Sequence, residues 1–251
     1  MASMKIIHMS DLHIADKGIP IWDTDTLAHF EAAVERIKTE EGIDAIFITG
    51  DIADNGSEWA YSYVQNKLSQ LGLPIYVCPG NHDWLPNMRK VFNYCNIVPS
   101  LEMGGWKFVF LDSTIEDPDE PNKNKARGGL NEVDFTRIND IATKSEGPIC
   151  LLLHHSPIEP GGWMNRKLLE NRNEFNSFIE RYDMIKLVLF GHIHYPLIQS
   201  VNNIIYSSAP SIGFAFDKEL PKYQIMDGAE GYNVINIGED NQIQIDRVLI
   251  L

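Results

Sequence analysis

Five short polar motifs, each directly after an apolar run, contain the residues of this chain that could carry out chemistry. In chain order they are Asp11-x-His13, Gly50-Asp51, Gly80-Asn81-His82-Asp83, His154-His155 and Gly191-His192-x-His194. Their donor atoms are carboxylate oxygen, amide oxygen and imidazole nitrogen, with no sulfur. Such a mixed set suits Mn, Fe, Zn or Co better than Ca or an iron–sulfur cluster. The motifs therefore predict a transition-metal site.

The number of donors is too large for one ion. The seven expected ligands are Asp11, His13, Asp51, Asn81, one of the pair His154 and His155, His192 and His194. Two ions about 3.5–4 Å apart, sharing a bridging carboxylate and a bridging hydroxide, would use them all. Taken singly, each residue fits a turn or core position just as well. Their coincidence at strand ends favours the dinuclear site.

Apolar, β-branched runs must position these motifs. They cover 5–9, 45–49, 75–78, 107–111, 149–153 and 186–190. Such short, almost continuous runs predict strands that are buried on both faces. Residues i and i+2 of an extended segment point the same way, so Asp11 and His13 can reach one ion together. Glycines at 50, 80 and 191 precede the polar residues, where the chain must turn sharply.

Helical spacing of apolar residues between the strands predicts an α/β domain. Helices are expected from Leu27 to Ile37 with Thr24 or Asp25 as N-cap, over 61–71, over 133–142 and over 175–182. Strands over 204–208, 232–237 and 242–251, with a hairpin turn at 238–241, predict a second, more antiparallel sheet packed on the first. The long loop 116–129 is either a surface excursion or a lid.

Composition and charge exclude several classes of protein. The formal net charge is −14 and no basic stretch stands out, which argues against binding of a nucleic-acid polymer. No apolar stretch approaches the roughly 20 residues that span a bilayer, and the N-terminus lacks the layout of a signal peptide. We therefore expect a cytoplasmic protein that does not contact the membrane. The three cysteines show no C-x-x-C spacing and are expected to be buried free thiols.

Taken together and in this order, the Asp11, Asp51, Asn81, His154 and His192 motifs resemble the signature of calcineurin-like metallophosphoesterases. The resemblance spans nearly the whole chain. It implies two mixed β-sheets packed as a sandwich and flanked by helices, in a single domain over 1–251.

Three further stretches are similar to bacterial class III 3',5'-cyclic-nucleotide phosphodiesterases. They are Gly50-Asp51-Ile52-Ala53 followed by Tyr61 or Tyr63, Gly162-Trp163-Met164-Asn165 followed by Leu169, Asn171 and Glu174, and Ser208-Ala209-Pro210-Ser211. The chain departs from that pattern at Asn165, where an Asp is usual, and at His155-Ser156-Pro157, which replaces a His-Pro or Pro-Pro pair. Both departures leave the metal ligands intact.

The resemblance implies a role for each site residue. Asp11, His13, Asp51 and His194 would hold the first metal ion, Asp51 would bridge, and Asn81, His154 and His192 would complete the second. His154 is preferred over His155 because it directly follows the apolar run. His82 would face the phosphate as general acid, with Asp83 fixing its tautomer. The residues expected to border the substrate are His13, Asp51, Asn81, His82 and His194.

The resulting hypothesis is a phosphodiesterase that hydrolyses 3',5'-cyclic nucleotides to 5'-nucleotides through a hydroxide bridging two divalent or trivalent ions. Its partner would be a small phosphodiester, and the protein would be a monomer or homodimer. One alternative is a glycerophosphodiesterase, or a phosphomono- and diesterase of broad specificity, that uses the same site. The other, from a different class, is a non-catalytic metal-binding scaffold.

Overall fold

A computed structural model describes residues 3–250 of the chain. The strands are β1 (Met4–Met9), β2 (Ala45–Thr49), β3 (Ile75–Cys78), β4 (Cys95–Asn96), β5 (Ser100–Met103), β6 (Trp106–Phe110), β7 (Ile149–Leu152), β8 (Ile185–Phe190), β9 (Leu197–Val201), β10 (Ile204–Ser208), β11 (Ala215–Phe216), β12 (Ile225–Met226), β13 (Gly231–Ile237) and β14 (Ile243–Leu249). The helices are α1 (Thr26–Ile37), α2 (Glu58–Ser69), α3 (Leu85–Val91), α4 (Glu132–Ala142) and α5 (Arg172–Ile179), with 3₁₀ turns at Asp16–Gly18 and Gly162–Arg166.

Most strands belong to two mixed sheets of six. The first has the order β14-β13-β1-β2-β3-β4, and the second has the order β5-β6-β7-β8-β10-β9. In the first sheet β1 to β4 are parallel, and β13 and β14 add an antiparallel edge. In the second sheet β6, β7, β8 and β10 are parallel, between antiparallel β5 and β9. The expected pair of mixed sheets is confirmed.

The two sheets pack face to face through one apolar layer. Phe47 of the first sheet lies 5.0 Å from Phe108 of the second, ring centre to ring centre, and both are fully buried. Helices α1 and α2 cover the outer face of the first sheet, and α4 and α5 cover that of the second. Since burying one such ring stabilises the fold by about 1.5–3 kcal/mol, these layers hold the parallel strand ends in place.

The predicted helices form close to their expected positions. Asp25, rather than Thr24, caps α1 by accepting a hydrogen bond from the Ala28 amide at 3.0 Å. Helix α5 begins three residues earlier than expected and ends at Ile179. Helix α3 was not predicted, because its seven residues are too few to show a clear apolar period. All three cysteines are buried and free, as expected.

The expectation that the C-terminal strands build the second sheet is wrong. Strand β10 joins the second sheet beside β8, whereas β13 and β14 extend the first sheet beside β1. The predicted hairpin turn between β13 and β14 is present, and Asn241 adopts a left-handed φ of 65°. Leu251, the last residue of the predicted strand, lies outside the described residues.

Within residues 3–250, no helix is both long enough and apolar enough to cross a bilayer.

The parallel strands of both sheets end at a common edge of the sandwich, where open α/β sheets collect their ligands. The five polar motifs follow β1, β2, β3, β7 and β8 at this edge.

Candidate metal centre

The backbone turns sharply wherever the polar motifs leave their strands. Asp11, His13, Asp51, His192 and His194 all have positive φ, between 47° and 71°. This left-handed region is unfavourable for residues other than glycine, and such strain concentrates at functional sites. Five predicted ligands share it, which indicates that the surrounding structure forces these side chains inward.

Two glycines make room for the ligands in different ways. Gly50 has a φ of 89°, which suits glycine. Gly80 has no left-handed φ, but a Cβ there would lie 2.2 Å from Oδ1 of Asp51. Its role is therefore to let the β3 loop approach that carboxylate closely.

The first cluster brings together Asp11, His13, Asp51 and His194. Their candidate ligand atoms all lie within 4.8 Å of one another, and all four residues are buried. Nε2 of His13 is 3.2 Å from Nε2 of His194, which in turn is 3.4 Å from Oδ1 of Asp11. These four residues are the set expected for the first metal ion.

The second cluster forms around His154. Its Nε2 lies 3.2 Å from Oδ1 of Asn81 and 3.2 Å from Nδ1 of His192. Oδ2 of Asp51 is 3.3 Å from the same nitrogen and 3.5 Å from Nε2 of His13. One carboxylate oxygen therefore lies between the two clusters, where the Asp51 side chain could serve both.

The hydrogen bonds on the outer nitrogens decide which nitrogen of each imidazole faces inward. Nδ1 of His154 donates to the Thr49 carbonyl at 2.7 Å, and Nε2 of His192 donates to the Lys167 carbonyl at 2.7 Å. Because a carbonyl can only accept, the proton of each neutral ring is on that outer nitrogen and the inner nitrogen carries a lone pair.

His194 and His13 have the same arrangement. Nδ1 of His194 donates to the Phe214 carbonyl at 2.7 Å, and Nδ1 of His13 donates to Oδ1 of Asp54 at 3.0 Å. When these rings are neutral, lone pairs face one another within each cluster, a repulsive arrangement unless a cation or a proton lies between them. The donor set fits metal ions, with the outer hydrogen bonds orienting the ligands.

Electrostatic effects also favour binding of a cation at these clusters. Burial lowers the pKa of His192 and of His194 well below the usual range, so both rings are neutral near pH 7 and able to bind a cation. Burial also works against charge on His154, but Asp51 outweighs it and raises the pKa of His154 to about 9 in the protein alone. Negative charge at Asp51 thus attracts a cation to this position, whether a proton or a metal ion.

His82 lies at the solvent side of the first cluster, with 42% of its side chain exposed. Its amide donates to Oδ1 of Asp51 at 2.8 Å, and its Nδ1 donates to the Asp54 carbonyl at 2.8 Å. The ring packs edge-on against His13, with 4.7 Å between ring centres. His82 therefore lies next to the predicted metal ligands.

The expectation that Asp83 fixes the tautomer of His82 is wrong. Asp83 instead accepts hydrogen bonds from the amides of Ala53 at 2.9 Å and Gly80 at 2.9 Å, and from the Tyr61 hydroxyl at 3.0 Å. Because the chain turns back after Asn81, the Asp83 carboxylate faces the loops that follow β2 and β3 and links them through these hydrogen bonds. The carbonyl of Asp54 holds the His82 ring.

Asp54 is a site residue that sequence reasoning missed. It contacts both His13 and His82 and lies three residues after Asp51. An acidic residue at that spacing was the available signal, but an exposed turn explains it equally well.

His155 is also buried in the second cluster, and its ring centre is 4.6 Å from that of His192. Its Nδ1 lies 2.8 Å from the Ser113 hydroxyl, and its Nε2 has no hydrogen-bond partner among the described residues. His154 contacts both Asn81 and Asp51, so the geometry favours it as the ligand.

A cavity of about 170 Å³ opens above the clusters. Its lining combines polar residues, among them Asp51, Asn81 and His82, with several aromatic rings. Most of these rings were not predicted, because they come from loops and from the two-residue strand β11, which show no periodic pattern. The long loop 116–129 packs beside the site: Asn124 Nδ2 donates to the Asp83 carbonyl at 2.8 Å, and Ala126 lines the cavity.

Comparison with known proteins agrees with this architecture. The calcineurin-like phosphoesterase family matches residues 4–196. The 3',5'-cyclic-nucleotide phosphodiesterase alr5338 of Nostoc sp. is 27% identical over 98% of this chain and 92% of its own. The 3',5'-cyclic adenosine monophosphate phosphodiesterase CpdA of Escherichia coli strain K12 is 25% identical over 96% of this chain and 88% of its own.

The fold is also that of a solved dimetal phosphatase from Danio rerio. The TM-score is 0.73 at 13% sequence identity, and the match covers 99% of this chain and 96% of that one. The chain belongs to the calcineurin-like phosphoesterase family. Family membership and the two His/Asp clusters together support a dinuclear metal centre.

Proposed function

We propose that this protein is a metal-dependent phosphodiesterase that hydrolyses 3',5'-cyclic nucleotides, of the cyclic AMP type, to 5'-nucleotides. The observation that carries the proposal is the position of Asp51 Oδ2, which lies between His13 of the first cluster and His154 of the second. The partly exposed His82 lies beside them. The names of the Nostoc and Escherichia coli relatives supply the substrate class.

In this proposal each predicted ligand keeps its role. Asp11, His13, Asp51 and His194 would hold one ion, and Asp51, Asn81, His154 and His192 would hold the other. The mixed oxygen and nitrogen donors suit Mn, Fe, Zn or Co. Two such ions would lower the pKa of bound water toward 7 and neutralise charge on the phosphate.

The chain's own residues would position the substrate and move a proton. With Nδ1 of His82 occupied by the Asp54 carbonyl, its Nε2 is the nitrogen that can reach the substrate. From there, protonated His82 would give its proton to the leaving oxygen, which is the ribose 3' oxygen of a cyclic nucleotide. Asn81, which lines the same cavity, would help to orient the phosphate.

A second cleft favours one alternative, an enzyme for acyclic phosphodiesters such as glycerophosphodiesters. It adjoins the first cavity at Asn81 and His82, is also lined by Asn122, Lys123 and Asn124, and has a volume of about 370 Å³. An acyclic diester has a second substituent that could occupy such a polar cleft, whereas a cyclic nucleotide carries both ester bonds on one ribose.

A substrate panel on metal-loaded protein tests the proposal. We expect kcat/KM for cyclic AMP to exceed that for glycerophosphoethanolamine and for p-nitrophenyl phosphate, and activity to disappear on chelation and return with Mn²⁺. Preference for glycerophosphoethanolamine would favour the alternative. No hydrolysis of any ester by protein holding two ions would favour a metal-binding scaffold.

The remaining expectations belong to the same proposal. We propose a single domain over 1–251 that acts in the cytoplasm as a monomer or homodimer on a small phosphodiester. The net charge of −14 supports the absence of a nucleic-acid polymer among its partners.

A further inference from the structure

A continuous aromatic surface leads from the metal ligands to the mouth of the cavity. Phe216 stacks on His194 with 4.4 Å between ring centres. Trp163 contacts Phe216 at 5.1 Å, and Trp22 stacks on Tyr223 at 4.9 Å with an interplanar angle of 21°. All five side chains line the same cavity, although they come from four separate segments of the chain.

Two of these rings are unusually exposed. Trp22 is 52% exposed and Tyr223 is 49% exposed. Single exposed apolar residues are common, but these two adjoin each other and the cavity. An adjoining pair of exposed rings at a cavity mouth is the kind of surface that marks a ligand site.

The backbone holds Trp22 in this position at a cost. Its φ is 48°, in a tight turn closed by reciprocal hydrogen bonds between Ile21 and Thr24. A bulky residue in the left-handed region is strained, and such strain persists where the surroundings enforce it. The turn presents the indole over the cavity and does not bury it in the core.

We propose that the base of the nucleotide substrate stacks on the aromatic surface formed by Trp22, Trp163, Phe216 and Tyr223, and this inference rests on the proposed function. The cavity is lined both by polar Asp51, Asn81 and His82 and by these rings, which contact one another. A nucleotide likewise combines a phosphate with a flat heterocycle. A glycerophosphodiester lacks the heterocycle.

The experiment compares 5'-AMP with ribose 5-phosphate, which has the same phosphate and sugar but no base. Binding to metal-loaded protein is measured by calorimetry and by quenching of tryptophan fluorescence. Since stacking on an aromatic side chain is worth roughly 5- to 150-fold in affinity, we expect 5'-AMP to bind at least about tenfold more tightly.

Variants locate this preference. Trp22→Leu and Tyr223→Leu should each reduce the preference for 5'-AMP about tenfold and leave ribose 5-phosphate binding unchanged, whereas Trp22→Phe should retain most of it. Trp59→Leu is the matched control, since Trp59 stacks on Tyr63 and does not line the cavity. The exposure of Trp22 and Tyr223 makes loss of folding a minor concern, and thermal unfolding checks it.

The outcomes separate this inference from the proposed function. Equal affinities for 5'-AMP and ribose 5-phosphate, or a preference that Trp22→Leu and Tyr223→Leu leave intact, would overturn the stacking site even if cyclic AMP is hydrolysed. A preference that the two variants abolish, in a protein that does not hydrolyse cyclic AMP, would retain the stacking site and reject the proposed function.

Discussion

Oδ1 of Asp54 accepts a hydrogen bond from Nδ1 of His13 at 3.0 Å, so Asp54 fixes the tautomer of a predicted metal ligand. Removing such an orienting partner weakens metal binding about 10- to 100-fold. We expect Asp54→Ala to show a loss of this size, measured by competition with a chelator. Asp54→Asn should lose less, because its amide oxygen can still accept the hydrogen bond.

The control for Asp54 is Asp246→Ala, an exposed carboxylate on β14 far along the chain from the motifs. It should leave metal affinity unchanged. An Asp54→Ala protein that binds metal as tightly as the parent would show that the His13 hydrogen bond does not matter for the site.

Asp51→Asn tests the bridge between the clusters. The substitution keeps the shape of the side chain but removes the charge that lies near both His13 and His154. We expect bound metal to fall from about two ions to fewer than one per chain, because the bridging carboxylate serves both positions. Elemental analysis after gel filtration measures this, and two retained ions would contradict the bridge.

His82→Ala separates chemistry from metal binding. The ring is partly exposed and its Nδ1 contacts the Asp54 carbonyl, so the variant should fold and keep both ions. General acid catalysis contributes about 10²–10⁴-fold, and kcat should fall by that amount for a substrate with a poor leaving group. Unchanged turnover at full metal content would remove His82 from the reaction.

Asp83 should matter for stability more than for chemistry. Asp83→Ala would leave buried amides of Ile52, Ala53 and Gly80 without their acceptor. Each unpaired buried group costs about 1–3 kcal/mol, so the free energy of unfolding should fall by at least about 3 kcal/mol. Urea unfolding measures the loss. Asp83→Asn should be milder, since its amide oxygen can still accept from one of these donors.

His8 should make the metal-free protein sensitive to acid. It is buried in β1 beside the Thr49 hydroxyl, and burial lowers its pKa from 6.5 to about 3. Between these values the unfolded chain binds one more proton than the folded chain. His8 therefore contributes a fall of about 1.4 kcal/mol per pH unit in the free energy of unfolding as pH is lowered from about 6.5 toward 3.

His8→Leu removes that proton uptake. The pH dependence of the free energy of unfolding between about pH 4 and pH 6 should become shallower by about 1.4 kcal/mol per unit. Chemical unfolding of parent and variant at matched pH values provides the comparison. Equal slopes would mean that His8 takes up a proton in the folded state.

Local patterns were sufficient to predict most of the elements. Helices α1, α2 and α4 follow from apolar spacing, and the start of α1 follows from its N-cap; both signals depend on neighbouring residues. The placement of β10 and β13 in different sheets could not be predicted in this way. Pairing with β8 or β1 is a choice between distant partners, and the alternation of side chains along a strand is compatible with either.

The amino-acid sequence by itself determined which donor atoms exist and that they gather at one edge of the sheets, because strand ends and turn residues are local features. Only the tertiary structure decided which nitrogen of each histidine faces inward. That choice depends on carbonyls of Thr49, Lys167 and Phe214, which are brought to His154, His192 and His194 from elsewhere in the chain. The same holds for Asp54 and Asp83, whose partners depend on the path of the folded loops.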